Sequence, residues 1–145
     1  MALVDLISNQ REKLEQIGCS ADSFRVVVSP YRICPLGAHS DHQLGPTLGM
    51  AVSAYTLLAF SPSTSQEVHI SSDNYSDEVR FDISCPEEGR VGGDWGVYAR
   101  GAAHAISNRL PRSPRGIVGR ITGSLPGGGL SSSASVILSY LLAFA

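Results

Sequence analysis

The sequence predicts an α/β fold, a mixed sheet backed by helices. Three observations predict it. β-Branched and apolar runs of strand length recur at residues 24–29, 51–60, 66–71, 78–83 and 116–124. Helical spacing of apolar residues marks an N-terminal segment, and two further helical stretches follow the third and the last turn region. A glycine- and serine-rich run joins the last strand to the last helix. The 145-residue length fits one compact domain or half of a larger enzyme.

The elements follow in order. Leu3, Leu6, Ile7, Leu14 and Ile17 share a helical face, so residues 2–17 are expected as an amphipathic helix with Gly18 as its stop. Residues 24–29 read as a buried strand. Pro30 and Pro35 argue against a regular helix or a central strand, so residues 30–46 are expected as a structured loop, where binding residues concentrate. Residues 51–60, 66–71 and 78–83 are strands, separated by the turns at 61–65 and 73–76. Residues 85–93 form a loop rich in Pro and Gly. Asp94 can cap a helix over 95–109, which Leu110 and Pro111 end. Ile117, Ile121 and Leu125 mark the last strand, and a helix starts at Ser132. That helix stays apolar to Ala145 with no cap, basic residue or polar tail, and a helix apolar all round should be buried. The expectation is an N-terminal part of a larger protein, inactive by itself.

Composition narrows the function. The net charge is −2 and the arginines are scattered, which argues against a nucleic-acid surface. Cys19, Cys34 and Cys85 have neither metal-ligand spacing nor an even count, so reduced thiols in a cytoplasmic protein are expected. Asp5 and the run Arg11, Glu12, Lys13 interrupt any signal-peptide core, and residues 136–145 are too short for a membrane span. Asn74-Tyr75-Ser76 fits a glycosylation sequon but lacks a secretory context.

Chemistry concentrates in Pro126, Gly127, Gly128, Gly129, Leu130, Ser131, Ser132, Ser133 and Ala134. The glycines permit close backbone approach, and the serines open a helix whose unpaired amides and partial positive charge suit a phosphate. The run is not a Walker A loop, because no lysine follows the glycines, and it lacks the dinucleotide Gly-x-Gly-x-x-Gly spacing. A plain connector is the other reading of the same composition.

A second stretch bears on that choice. Residues 29–45, Ser-Pro-Tyr-Arg-Ile-Cys-Pro-Leu-Gly-Ala-His-Ser-Asp-His-Gln-Leu-Gly, resemble the sugar-binding signature of galactokinases. The run from Gly127 to Ala134 resembles the ATP-binding motif of the wider GHMP kinase superfamily. Trp95, Tyr98 and Gly101 are similar to the Trp-x-x-Tyr-x-x-Gly helix of galactokinases. The motifs come in the family's order, and their joint occurrence is more specific than either alone. Within the family, residues 25–43 are most like the plant galacturonokinase branch.

The resemblance implies an N-terminal GHMP kinase domain with a ribosomal-S5-like part, and ATP-dependent phosphorylation of a sugar's anomeric hydroxyl. It implies ATP and Mg²⁺ as the small molecules beside a sugar or uronic acid; from composition no nucleic-acid or membrane partner is expected, and a monomer is the expectation for an oligomeric state the sequence leaves open. By position Arg32 would meet the γ-phosphate and the reacting hydroxyl. Asp41 would accept from ring hydroxyls, His39 would stand beside it or serve structure only, and Gly45 would allow close approach. Residues 126–134 would bind the nucleotide, with Ser133 as a metal ligand. Trp95 would wall the adenine or simply fill the core. The acidic metal ligand and the catalytic base would lie past residue 145. Ala38 replaces the family's glutamate that meets the sugar 6-hydroxyl. Its absence removes like-charge repulsion against a 6-carboxylate, which favours galacturonate over galactose. Tyr31 or a distal arginine would meet that carboxylate. Galactokinase activity, a non-catalytic binding fragment and a phosphate-free structural module remain the alternatives.

Overall fold

The computed structural model describes residues 2–38, 40–88, 94–107, 109, 115–125 and 132–145, and at Asp41 the backbone alone. Its elements are α1 (Leu3–Gln16), β1 (Arg25–Leu36), β2 (Leu48–Pro62), β3 (Glu67–Ser72), β4 (Val79–Asp82), α2 (Val97–Ser107), β5 (Ile117–Gly123) and α3 (Ser132–Phe144). The strands form one mixed sheet in the order β1-β2-β5-β3-β4. Every neighbouring pair is antiparallel except β3 and β5, which run parallel. The expected mixed sheet backed by helices is the observed architecture.

β2 shows why its sequence is an unbroken apolar run. Leu57, Leu58, Ala59 and Phe60 are all buried, and successive side chains leave a strand on opposite faces. Leu58 and Phe60 join Val68, Ile70, Ile117 and Ile121 in the core beneath α2 and α3. Leu57 and Ala59 meet Leu6 and Leu14 of α1 on the other face. Each buried leucine contributes about 1.5–3 kcal/mol. Covered on both faces, the strand has no polar side to alternate with.

α1 ends in a Schellman motif. The Cys19 amide donates to the Leu14 carbonyl at 3.1 Å and the Gly18 amide to Glu15 at 3.0 Å, with Gly18 at φ +92°. A polar network fixes the helix to the sheet. Arg120 on β5 donates to Gln10 (3.1 Å), Ser71 (3.0 Å) and Asp73 (2.6 Å), and Lys13 reaches Asp73 at 3.1 Å. Burial pushes the Asp73 carboxyl up. Hydrogen bonds from Arg120, Lys13 and Gln10 outweigh that and leave its pKa below the ordinary aspartate value.

Two expectations need correction. The segment after residue 29 is not a loop from Pro30 onward, because β1 continues through Pro30 and Pro35 to Leu36. β1 lies at the sheet's edge, where a missing N–H costs no ladder bond on the outer side. Register shifts between Pro30 and Arg32 and between Ile33 and Leu36 absorb both prolines. α2 starts at Val97 and ends at Ser107, inside the expected 95–109. Asp94 stands three residues ahead of it, its carboxylate 3.8 Å from Arg100 Nε.

α3 packs on β1, β2 and α2. Its buried residues are Ser135, Ser139, Tyr140 and Phe144, while Leu138 and Leu142 are exposed. Small serines bring the helix close to the sheet, and both hydroxyls find backbone carbonyl acceptors, Ser135 on β1 and Ser139 within the helix. Ser139 donates to the Ser135 carbonyl at 3.0 Å.

Candidate active site

A cavity of about 430 Å³ opens between the middle of β2, the end of β5 and the starts of α2 and α3. Ser132 and Ser133, in the first turn of α3, form one wall. Trp95 and Tyr98 form another, with Tyr75 stacked on Trp95 at 5.7 Å between ring centroids and 13° between planes. Such a stack contributes about 0.5–1.5 kcal/mol beyond burial. Trp95 Nε1 donates to the Asp77 carbonyl at 3.1 Å, which fixes the ring's rotation. Asn74 accepts from the Gly123 amide at 3.3 Å and so holds the 73–76 turn against the end of β5.

The floor carries hydroxyls. Tyr31 from β1, Thr56 from β2 and Tyr140 from α3 all line the cavity and all are buried. Tyr31 donates to the Leu125 carbonyl at 3.4 Å. Thr56 Oγ1 and Tyr140 Oη have no hydrogen-bond partner among the described residues. A buried hydroxyl without a partner is costly, so these two mark a place that a polar ligand group or water would satisfy. Burial drives the Tyr140 phenol far above the ordinary tyrosine pKa, so it is neutral and able to donate. No lysine, arginine or carboxylate lines the cavity among the described residues. An anion here would be held by hydroxyls, amides and the N-terminal end of α3.

The cavity therefore joins the two sequence motifs. Tyr31 comes from the first, Ser132 and Ser133 from the second. Galacturonokinase of Arabidopsis thaliana is 38% identical to the chain over 155 residues, covering 94% of the chain and 37% of that protein. Galactokinase of Thermococcus kodakarensis is 34% identical over 116 residues, covering 79% of the chain and 31% of that protein. The crystal structure of Lactococcus lactis galactokinase complexed with galactose superposes with a TM-score of 0.82 at 25% identity, covering 92% of the chain and 35% of that protein. The chain belongs to the GHMP sugar-kinase family. No family model matches it. This GHMP kinase chain spans about a third of the length of the relatives it resembles.

The remaining candidates of this GHMP kinase chain sit elsewhere. Arg32 follows Tyr31 on β1 and is exposed on the opposite side of the strand, where its Cδ would lie 3.3 Å from a Cβ built on Gly49. Ala38 and Gly45 belong to the turn after β1, and Ala38 is exposed. That turn is organised by Ser40, whose carbonyl accepts from the Gly45 and Gln43 amides and whose hydroxyl reaches the Gly37 and Pro46 carbonyls. Gly37 adopts φ +70°, and a Cβ there would lie 2.3 Å from the Pro46 carbonyl oxygen. Ala134 is exposed in the first turn of α3 and does not line the cavity. His39, the Asp41 side chain, Pro126, Gly127, Gly128, Gly129, Leu130 and Ser131 lie outside the described residues.

Magnesium fits this donor set only in part. Ser133 offers one neutral oxygen, whereas magnesium is usually held by a carboxylate together with phosphates and water. No cluster of three His, Cys, Asp or Glu side chains occurs among the described residues. The three cysteines are free. Among the described residues no helix is long and apolar enough to cross a membrane.

Tyr75, Asn74, Thr56 and Tyr140 were not evident as site residues from sequence. Tyr75 carried the one available signal, an aromatic in an otherwise polar turn. The others reach the cavity only through strand register and helix packing.

Proposed function

We propose that the chain forms the nucleotide- and sugar-binding part of a kinase that phosphorylates the anomeric hydroxyl of D-galacturonate with MgATP. The observation that carries this reading is the shared cavity of Tyr31, Trp95, Ser132 and Ser133. The aromatic wall of Trp95 and Tyr75 suits a flat base, and the first turn of α3 suits the phosphates. In the roles the resemblance gives them, Arg32, His39, Asp41 and Gly45 bind the sugar, with Arg32 nearest the transferred phosphoryl group. Phosphoryl transfer depends mainly on positioning and charge stabilisation, and that is what this part supplies. Magnesium, when bound, would neutralise phosphate charge, with Ser133 as one ligand. Ala38 leaves room and no negative charge where the sugar 6-carboxylate lies.

Calorimetric titration of the purified chain with MgATP, D-galacturonate and galactose tests the reading. Binding of MgATP and of galacturonate in preference to galactose is expected. Preference for galactose would replace the substrate, and heat from neither sugar nor nucleotide would reduce the chain to a structural module. Ala38→Glu is expected to reverse the sugar preference.

A further inference from the structure

The continuation of β1 through Pro30 has a direct effect on its neighbour. Burial alternates along this part of β1, with Ser29 and Tyr31 buried and Pro30 and Arg32 exposed. Arg32 is exposed beside Gly49, and Tyr31 is 3% exposed beneath α3. The Tyr31 ring reaches past β2 to the end of β5. A Cβ built on Gly123 would lie 2.6 Å from the Tyr31 hydroxyl oxygen and 3.3 Å from the Leu125 carbonyl oxygen. The phenol's contact with Leu125, at 3.4 Å, is long for a bond between oxygens. A charged acceptor in the cavity competes for that proton on favourable terms, since hydrogen bonds to anions are roughly twice as strong.

We propose that Tyr31 serves the nucleotide rather than the sugar: its hydroxyl donates to a phosphoryl oxygen of a nucleoside triphosphate, and Gly123 is glycine to leave the phenol that place. The inference rests on the cavity being the nucleotide site. It removes Tyr31 from the groups that meet a sugar carboxylate, because the ring cannot turn to the Arg32 side without breaking β1. It also gives the cavity floor a donor where no cationic side chain stands among the described residues.

Trp95 is the single tryptophan of the chain and lines the cavity, so its fluorescence reports occupancy. Titrations with MgATP and with adenosine, and calorimetry with D-galacturonate, would be run on the parent chain, Tyr31→Phe, Gly123→Ala and the double variant. Tyr31→Phe is expected to weaken MgATP about 3- to 10-fold, one hydrogen bond's share, with adenosine and galacturonate unchanged. Gly123→Ala should weaken MgATP at least as far, because its methyl group displaces the phenol. The double variant should return to the Tyr31→Phe value, since Phe lacks the clashing oxygen. Lost galacturonate affinity in Tyr31→Phe, or MgATP affinity equal to the parent's, overturns the inference while leaving the cavity as the nucleotide site. No recovery in the double variant overturns the role of Gly123. Silence of the parent's Trp95 towards MgATP overturns this inference and the nucleotide reading together.

Discussion

Ser135 Oγ donates to the Ser29 carbonyl oxygen at 2.7 Å, with both residues buried. This bond ties the first full turn of α3, and with it Ser132 and Ser133, to the edge strand that carries Tyr31 and Arg32. Ser135→Ala is expected to cost about 1 kcal/mol in urea unfolding. Ser135→Val should cost more, because the added methyl group forces the helix from the sheet. Equal midpoints for all three chains would show that the bond contributes nothing.

Arg100 is 4% exposed, and its guanidinium donates to the carbonyls of Pro86 (2.9 Å), Glu88 (3.3 Å) and Arg80 (3.2 Å). It also lies over the Phe81 ring at 4.8 Å. Three carbonyls lose their donor together in Arg100→Met, so a loss of about 3 kcal/mol is expected. Arg100→Lys should rescue little, because an ammonium cannot reproduce the planar fork. Thermal melts of both variants check this, and a near-parental melt for Lys would refute the fork geometry.

Acid should loosen α1 through Asp73. Its folded-state pKa lies below the unfolded value, so the unfolded chain takes up the proton first as pH falls. The stabilisation is complete above the unfolded value and fades as pH drops below about 4 towards the folded value. Urea midpoints between pH 7 and pH 2.5 should therefore fall less steeply in Asp73→Asn, which should also be the less stable chain at neutral pH. Parallel curves would remove Asp73 from the acid response.

Gly101 sits inside α2 with nothing within 4 Å of where a Cβ would project. Gly101→Ala is expected to raise the stability of this chain by about 0.5–1 kcal/mol, through lower backbone entropy in the unfolded state. A destabilised variant in the same urea assay would contradict the open space around it.

Much of the fold was legible because apolar runs of strand length are dictated by burial on one or both faces. What could not be read was position within the sheet. Pro30 and Pro35 signal a break only if the strand needs every amide, and an edge strand does not. That single property decides whether Tyr31 and Arg32 act together or apart. α3 misled in a related way, since its apolar sequence gives no hint that Ser135 and Ser139 face inward while Leu138 and Leu142 face out. The site was legible where chemistry is local, in the serines that open a helix and in Trp95. It was hidden where the partners are set by register, as with Thr56, which lies opposite Gly123 across β2 and β5.

The strand order carries a consequence for how the chain is made. β5 enters between β2 and β3, yet it is translated last of the five. Until it emerges, the nascent polypeptide holds two separate hairpins, each with an apolar edge lacking its mate. Unpaired edges of this kind invite association with other chains. A keystone that arrives late makes the ribosome-bound intermediate, more than the finished molecule, the species most dependent on chaperone protection.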